Sequence, residues 1–136
     1  MIFGLERIPA ILDGSKTVTR RPAKKDHAGY LPCRYRPGRT YAVQPGRNKA
    51  AVARIRVTDV RMEPLSGAYS PGEAQAEGFA SVEEFCDYWL RLHGDMHAET
   101  VVYRIAFELT SVRGTALPVA GDRLRVLGPG SSESIK

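Results

Sequence analysis

The chain has 136 residues, 43% of them hydrophobic and 26% charged, which excludes a disordered or fibrous protein and suffices for one domain with a core. Its formal net charge of +5 is unevenly distributed. Residues 1–61 contain 14 Lys+Arg and 4 Asp+Glu, whereas residues 62–136 contain 6 and 11, so the two parts carry +10 and −5. A basic half is typical of proteins that bind nucleic acid or another polyanion.

Hydropathy and cysteine usage exclude several other classes. No apolar run approaches the roughly 20 residues of a membrane span, and residues 1–7 are too short and too early charged for a signal peptide. We therefore expect a cytoplasmic protein with no membrane partner. Cys33 and Cys86 lack a C-x-x-C pattern, which predicts two reduced thiols. A glycine separates His93 from His97 and no third ligand is indicated, so we predict no metal site and no cofactor.

The first half of the chain predicts one short helix, a loop and two strands. The helix covers about residues 8–12, and Gly14 is well placed to end it. Residues 16–21 are polar and β-branched, which favours an extended segment or a loop. Three prolines, two glycines and many charges predict an irregular insertion at residues 22–39, here called the basic loop. Strands are predicted at residues 40–44 and within residues 50–62, and Pro64 breaks the pattern after the second strand.

The second half predicts two helices and two strands. Ser70 and Ser81 are each followed three residues later by glutamate, as in a capping box, and therefore predict helix starts. From Ser81 the apolar residues recur at helical spacing, so Phe85 and Trp89 are expected in the core. Residues 100–109 and 122–127 predict strands, and residues 129–136 a flexible tail. Several strands around two or three helices predict a single α+β, barrel-like domain over residues 1–128.

Residues 13–22 place a lysine, two threonines and two arginines between a glycine and a proline. The run Gly14-Ser15-Lys16-Thr17 suggests a phosphate-binding P-loop. That motif requires glycine immediately before the lysine and another five residues earlier. Ser15 and Ala10 occupy those two positions, and a helix rather than a strand precedes the segment, so we exclude an ATP-binding loop.

The same segment resembles the signature of the ASCH domain family, a branch of the PUA-like fold. The resemblance spans most of residues 3–109 and excludes the basic loop. It is carried by five stretches: Gly14-Ser15-Lys16-Thr17-Val18-Thr19-Arg20-Arg21, Tyr41-Ala42-Val43-Gln44, Ala74-Gln75-Ala76-Glu77-Gly78-Phe79, Glu84-Phe85 with Trp89, and Phe107-Glu108-Leu109.

This resemblance implies a PUA-like pseudo-β-barrel with a cleft for RNA or a modified nucleoside. Some family members are amidohydrolases that remove the acetyl group from N4-acetylcytidine, and others are reported as ribonucleases. The lysine, threonine and glutamate taken as catalytic in the amidohydrolases correspond to Lys16, Thr19 and Glu77. A non-catalytic RNA-binding module is the alternative.

The chemistry of these three side chains is compatible with hydrolysis. A threonine hydroxyl is a poor nucleophile until a base takes its proton, and Lys16 can act as that base if burial and a neighbouring arginine lower its pKa. Glu77 can orient the lysine or exchange a proton with the leaving amine. In a regular strand Lys16 and Thr19 would face opposite sides, so they converge only if the chain turns between them. The alternative is a surface lysine, a threonine bonded to local backbone and a solvated glutamate.

Cations and tyrosines alternate in and around the basic loop. Aromatic rings stack on unpaired bases while cations contact phosphates, so this pattern is typical of an RNA-binding surface. The alternative is a flexible loop kept soluble by its charge. The expected contacts to substrate or nucleic acid are Thr17, Arg20, Arg21, Lys24, Lys25, Tyr30, Arg34, Tyr35, Arg36, Arg39 and Tyr41.

Overall fold

The structure, a computed structural model, describes residues 1–113 and 115–116. Its helices are α1 (Ile8–Leu12), α2 (Pro71–Ala76) and α3 (Val82–His93), with short 3-10 helices at Leu5–Arg7 and Leu65–Ala68. Its strands are β1 (Val18–Pro22), β2 (Lys25–Asp26), β3 (Gly29–Tyr30), β4 (Thr40–Val43), β5 (Ala53–Pro64), β6 (Val101–Val112) and β7 (Thr115–Ala116). The predicted strand at residues 122–127 and the predicted tail lie outside the described residues.

An antiparallel sheet in the order β1-β6-β5-β4 forms the frame of the domain, and β7 adds to the end of β6. The two long strands β5 and β6 pair from Ala53 opposite Val112 to Pro64 opposite Val101. Their register shifts between Arg54 and Ile55 and again between Val57 and Asp59. Such bulges bend and twist a sheet, which curls this one around its core.

The N-terminal segment continues the sheet beyond β4. The Phe3 N–H donates to the Gln44 carbonyl at 3.0 Å, and the Gln44 N–H donates to the Met1 carbonyl at 2.9 Å. Across the remaining gap, the Arg21 guanidinium at the end of β1 donates to the Ile2 carbonyl at 2.9 Å. Among the described residues the sheet is therefore not a closed barrel, and a side chain bridges its two ends.

Two hydrophobic clusters fill the domain. In β6, alternate residues from Tyr103 to Leu109 face a main core that also contains Phe3 and Ile11. Val102 points to the opposite side of the sheet. There it joins a second cluster with residues of α2 and α3, among them Phe85 and Trp89, which are buried as predicted.

Both predicted helix starts are present. The Ser70 hydroxyl accepts from the Glu73 N–H at 3.3 Å, and the Ser81 hydroxyl accepts from the Glu84 N–H at 3.2 Å. The strand prediction was wrong at Pro64, which is the last residue of β5 rather than a residue beyond it. Proline is tolerated there because a strand end requires no ladder hydrogen bond from its nitrogen.

The basic loop is more regular than expected, because Lys25 pairs with Tyr30 and Asp26 with Gly29 in a two-stranded hairpin. Farther along, the Gly38 N–H donates to the Val57 carbonyl at 2.7 Å and anchors the loop to β5. Within the described part of the chain, no helix is long and apolar enough to cross a bilayer.

Candidate functional site

The C-terminus of α2 fixes one side of the candidate site. Gly78 has φ of +94° and follows Glu77, so the helix ends in the left-handed conformation that favours glycine. The Gly78 N–H donates to the Gln75 carbonyl and the Phe79 N–H to the Ala74 carbonyl, both at 2.9 Å. These bonds hold Glu77 at the helix end, where it is only 4% exposed.

Lys16 is buried against that helix end and is only 3% exposed. Its ammonium group donates to the Val18 carbonyl at 2.8 Å, to the Glu77 carbonyl at 2.9 Å and to Glu77 Oε1 at 3.3 Å. These acceptors use all three N–H donors of a protonated lysine. Burial lowers the pKa of Lys16; Glu77 opposes that change, whereas Arg21 and Arg7 add to it.

Lys16 and Thr19 line the same cavity although strand alternation would separate them. The chain enters β1 only at Val18, so Lys16 is not part of the strand and its side chain folds back toward the Val18 carbonyl. Thr19, one residue into β1, is 6% exposed. Both border a cavity of about 490 Å³, here called the first cavity, together with Glu77.

Aromatic side chains form much of the remaining wall of the first cavity: Phe3, Phe85, Tyr88 and Trp89. Arg7 also lines it, with its guanidinium 4.2 Å from the Phe79 ring centre and donating to the Gly78 carbonyl at 3.3 Å. The Arg7 Nε is buried and forms no hydrogen bond with a described residue. Sequence reasoning missed Arg7 and Tyr88; the position of Tyr88 three residues after Phe85 was the available signal.

Arg20 lies behind Glu77 in a group of buried and half-buried charges. Its guanidinium donates to Glu77 Oε2 at 3.0 Å and to Glu63 Oε2 at 2.8 and 2.9 Å, and it also contacts Glu73. Arg104 donates to Glu73 at 2.9 Å. We call this group the carboxylate network: Lys16, Arg20, Glu63, Glu73, Glu77 and Arg104.

The carboxylate network pairs three cations with three carboxylates, and the exposed Arg61 also donates to Glu63 at 3.3 Å. Hydrogen bonds from Arg104, and then from Arg20, lower the pKa of Glu73 from its usual 4.5 to about 2. Arg20, which was expected to contact substrate, borders the first cavity, and its guanidinium donates to the surrounding carboxylates. Glu63, Glu73 and Arg104 were not among the expected site residues, and nothing local in the sequence distinguishes them.

The other expected binding residues divide into two groups. Arg21 lines both the first cavity and a neighbouring second cavity of about 470 Å³, whose wall includes Lys24, Arg34 and Tyr35. The remaining residues lie outside the walls of these two cavities and are exposed, apart from the half-buried Tyr41: Thr17, Lys25, Tyr30, Arg36, Arg39 and Tyr41.

Tyr41 has a local structural contact. Its hydroxyl accepts from the Arg36 N–H at 2.8 Å, and its ring meets Tyr35 edge-on with centres 5.0 Å apart. Cys33 and Cys86 are free thiols, as predicted. Residues 1–113 and 115–116 contain no group of three or more His, Cys, Asp or Glu side chains able to hold a metal ion.

Solved structures of ASCH domains resemble this chain in their fold. One, from Lactobacillus crispatus JV V101, is 16% identical with a TM-score of 0.57 over 76% of this chain and 70% of its own. ASCH from Zymomonas mobilis is 16% identical with a TM-score of 0.52 over 94% and 76%. The chain has the ASCH-domain fold.

A DUF984-family protein from Enterococcus faecalis V583 is also similar, with 20% identity and a TM-score of 0.56 over 81% of this chain and 73% of its own. No protein-family model matches the chain, and no curated protein matches it by sequence. The predicted α+β, PUA-like fold is thus confirmed. At these identities the likeness concerns the fold.

Proposed function

We propose that this protein is a hydrolase that removes an acyl group from the exocyclic amine of a nucleobase, with N4-acetylcytidine as the model substrate. The observation that carries the proposal is the meeting of Lys16, Thr19 and Glu77 at one aromatic-lined cavity. We also propose that the protein acts in the cytoplasm, on RNA or on a nucleoside derived from it.

The walls of the first cavity suit a planar, uncharged base. Aromatic side chains stack on such a ring, and a few polar groups in an otherwise apolar pocket determine its orientation. Phe85, Tyr88 and Trp89 supply the aromatic surface, and the buried pair of Lys16 and Glu77 supplies the polar groups. With the base stacked on these aromatic side chains, the acetyl group points toward Lys16 and Thr19.

The reaction proceeds through an acyl-enzyme. Lys16, as a neutral amine, takes the proton of the Thr19 hydroxyl while Oγ1 attacks the acetyl carbonyl carbon. The C–N bond then breaks, and the proton passes from Lys16 to the departing exocyclic amine. Water next attacks the ester, Lys16 accepts one proton of that water and returns it to Thr19 Oγ1, and the acyl group leaves as acetic acid, which ionises in solution. Arg21, on the cavity wall, stabilises the oxyanion in both steps.

The hydrogen bonds of Lys16 indicate how the neutral amine forms. Its contact with Glu77 Oε1, at 3.3 Å, is the longest of the three and the one that ends on a carboxylate, which accepts the proton when the neutral amine forms. Arg20 holds the other oxygen, Oε2, at 3.0 Å and so keeps Oε1 directed at the lysine. Burial lowers the pKa of Lys16 and therefore reduces the cost of removing its proton.

The test is deacetylation of N4-acetylcytidine by the wild-type protein and by three variants. Lys16→Ala, Thr19→Val and Glu77→Gln are each expected to lower kcat/KM by about 10²- to 10⁴-fold, the usual contribution of one acid-base group. Arg47→Ala, at an exposed position outside both cavities, is the control and should retain activity. Circular dichroism verifies that each variant is folded.

Other outcomes identify other functions. Cleavage of single-stranded RNA that is lost in Lys16→Ala would instead indicate a ribonuclease. Salt-sensitive RNA binding without any turnover would indicate a binding module. Deacetylation that survives in both folded Lys16→Ala and Thr19→Val would refute the proposed site.

A further inference from the structure

The second cavity lies directly beside the first. The chain leaving β1 forms one wall, residues 31–35 form the opposite wall, and Tyr103 lies between them. Arg21 and Pro22 border both cavities. A ligand that extends out of the first cavity past Arg21 therefore enters the second.

Hydrogen bonds to the main sheet hold the walls of the second cavity in place. The Tyr103 hydroxyl donates to the Leu31 carbonyl and accepts from the Lys24 N–H at 3.3 Å, so one β6 side chain joins both walls. The Val57 N–H donates to the Arg39 carbonyl at 2.9 Å and fixes the far end of the basic loop. The cavity is thus pre-formed, which lowers the entropic cost of binding a ligand there.

The charges around the second cavity are not balanced. Arg21, Lys24 and Arg34 border it, and none of them forms an ion pair within the described residues. The nearby acid Asp26 accepts from the Ala28 N–H in the hairpin. Burial lowers the pKa of the nearby Met1 amine, and the charges of Arg21, Arg34 and Arg54 lower it further.

We propose that the second cavity binds the phosphate of a nucleotide whose base occupies the first cavity. This inference rests on the proposed function, which places the base in the first cavity. Guanidinium groups match phosphate oxygens in geometry and charge, and Lys24 adds a third cation. One ribose joins base to phosphate, in keeping with adjoining cavities that share Arg21. The phosphate is either the terminal group of a mononucleotide or a phosphodiester of single-stranded RNA.

Equilibrium binding to the wild-type protein tests the inference without requiring turnover. Trp89, the only tryptophan, lines the first cavity, so its emission reports occupancy there. Three probes are compared at low salt: cytidine, cytidine 5′-monophosphate and a short single-stranded oligocytidine. We expect a phosphate-bearing probe to bind at least about tenfold more tightly than cytidine, and this gain to shrink as salt rises.

Two double variants test which residues provide the gain in affinity from phosphate. Lys24→Gln/Arg34→Gln should abolish the advantage of phosphate and leave the affinity for cytidine within about twofold, because uncharged cytidine does not use these cations. Arg47→Gln/Lys49→Gln removes the same charge from exposed positions outside both cavities and should retain the advantage. Gain for the monophosphate alone assigns the cavity to a terminal phosphate, gain for the oligonucleotide alone assigns it to a phosphodiester, and equal gain shows that it accepts either group.

Three results would overturn the inference: no gain from phosphate, an equal loss in the control pair, or equally weakened cytidine binding in the cavity pair. The fate of the proposed function is separate. Deacetylation of the nucleoside without any gain in affinity from phosphate would refute only the phosphate site in the second cavity. A gain in affinity from phosphate without deacetylation would refute the hydrolase and support the nucleotide site.

Discussion

Arginines occur in two neighbouring regions, the carboxylate network and the basic loop, but their surroundings differ. In the network Arg20 faces Glu63, Glu73 and Glu77 and is buried. In the basic loop Arg34 is exposed and forms no ion pair with the described residues. Paired internal charges position side chains, whereas unpaired surface charges remain available to a ligand. The two regions meet at Arg21, which borders both cavities.

The largest expected difference between the regions is in stability. Arg20→Met leaves three glutamates facing one another without their shared cation, and loss of one partner from buried ion pairs costs about 3–5 kcal/mol. Arg34→Met, the matched control in the basic loop, should change the free energy of unfolding by less than about 0.5 kcal/mol. Urea unfolding measures both. Equal losses would contradict the distinction between a positioning and a binding arginine.

Acid should weaken the network before it affects the basic loop. The pKa of Glu73 is about 2 in the folded protein against 4.5 normally, so its contribution is present above pH 4.5 and is lost as pH falls toward 2. That contribution is on the order of 3 kcal/mol before solvent screening, to which the part-exposed carboxylate is subject. Denaturant titrations from pH 6 to pH 3 should show a smaller decline for Glu73→Gln than for wild type. Parallel declines would exclude Glu73 as the source.

Alanine substitutions at two glycines with positive φ test the same backbone strain beside Lys16 and in the basic loop. A Cβ added at Gly78, where φ is +94°, would lie 3.2 Å from the Lys16 Cβ. A Cβ added at Gly38 in the basic loop, where φ is +87°, would have no neighbouring atom within 4 Å. Each alanine substitution adds about 1–2 kcal/mol of backbone strain. Gly78→Ala should cost on the order of 1 kcal/mol more because it crowds Lys16. Thermal unfolding measures the difference in stability between the two variants. Only Gly78→Ala should also lower the rate of deacetylation. Equal losses of stability in the two variants would argue against tight packing at Lys16.

The smallest expected effect concerns RNA binding by the exposed cations of the basic loop. If about four phosphates are engaged on a single strand, the slope of log K against log salt is near −3. Removing two exposed cations, as in Lys25→Gln/Arg39→Gln, should make the slope shallower by about 1.4 and leave stability within about 0.5 kcal/mol. Filter binding over a salt series measures the slope. An unchanged slope would place the RNA contacts elsewhere.

Local patterns were the reliable part of the sequence reading. The capping serines Ser70 and Ser81 start α2 and α3, and Gly94, at φ +83°, ends α3 as a left-handed residue. Residues 100–109 were correctly predicted as a strand, and the helical spacing of Phe85 and Trp89 correctly assigned two core residues. Each of these features depends on residues within about one or two turns of one another, and short-range sequence patterns report such contacts directly.

The candidate site was predicted only in part. The resemblance of residues 14–21 and of Glu77 to the ASCH signature marked three side chains that line the first cavity, but strand alternation alone would have separated Lys16 from Thr19. Glu73 was predicted only as the glutamate of a capping box, and its side chain binds Arg20 and Arg104. A helix-start pattern predicts the backbone bond of such a glutamate, and the direction of its side chain depends on which cations pack nearby.

The sequence by itself determined the helix caps, the long strands and the basic half, and it marked Lys16, Thr19 and Glu77 as candidates for the site. Only the tertiary structure decided which charges are paired. Lys16 and Arg20 reach Glu77 across separations of 61 and 57 residues. Such contacts form when β1, the end of β5 and α2 pack together. Burial then requires each of these charges to have a partner, because an unpaired charge is too costly away from water.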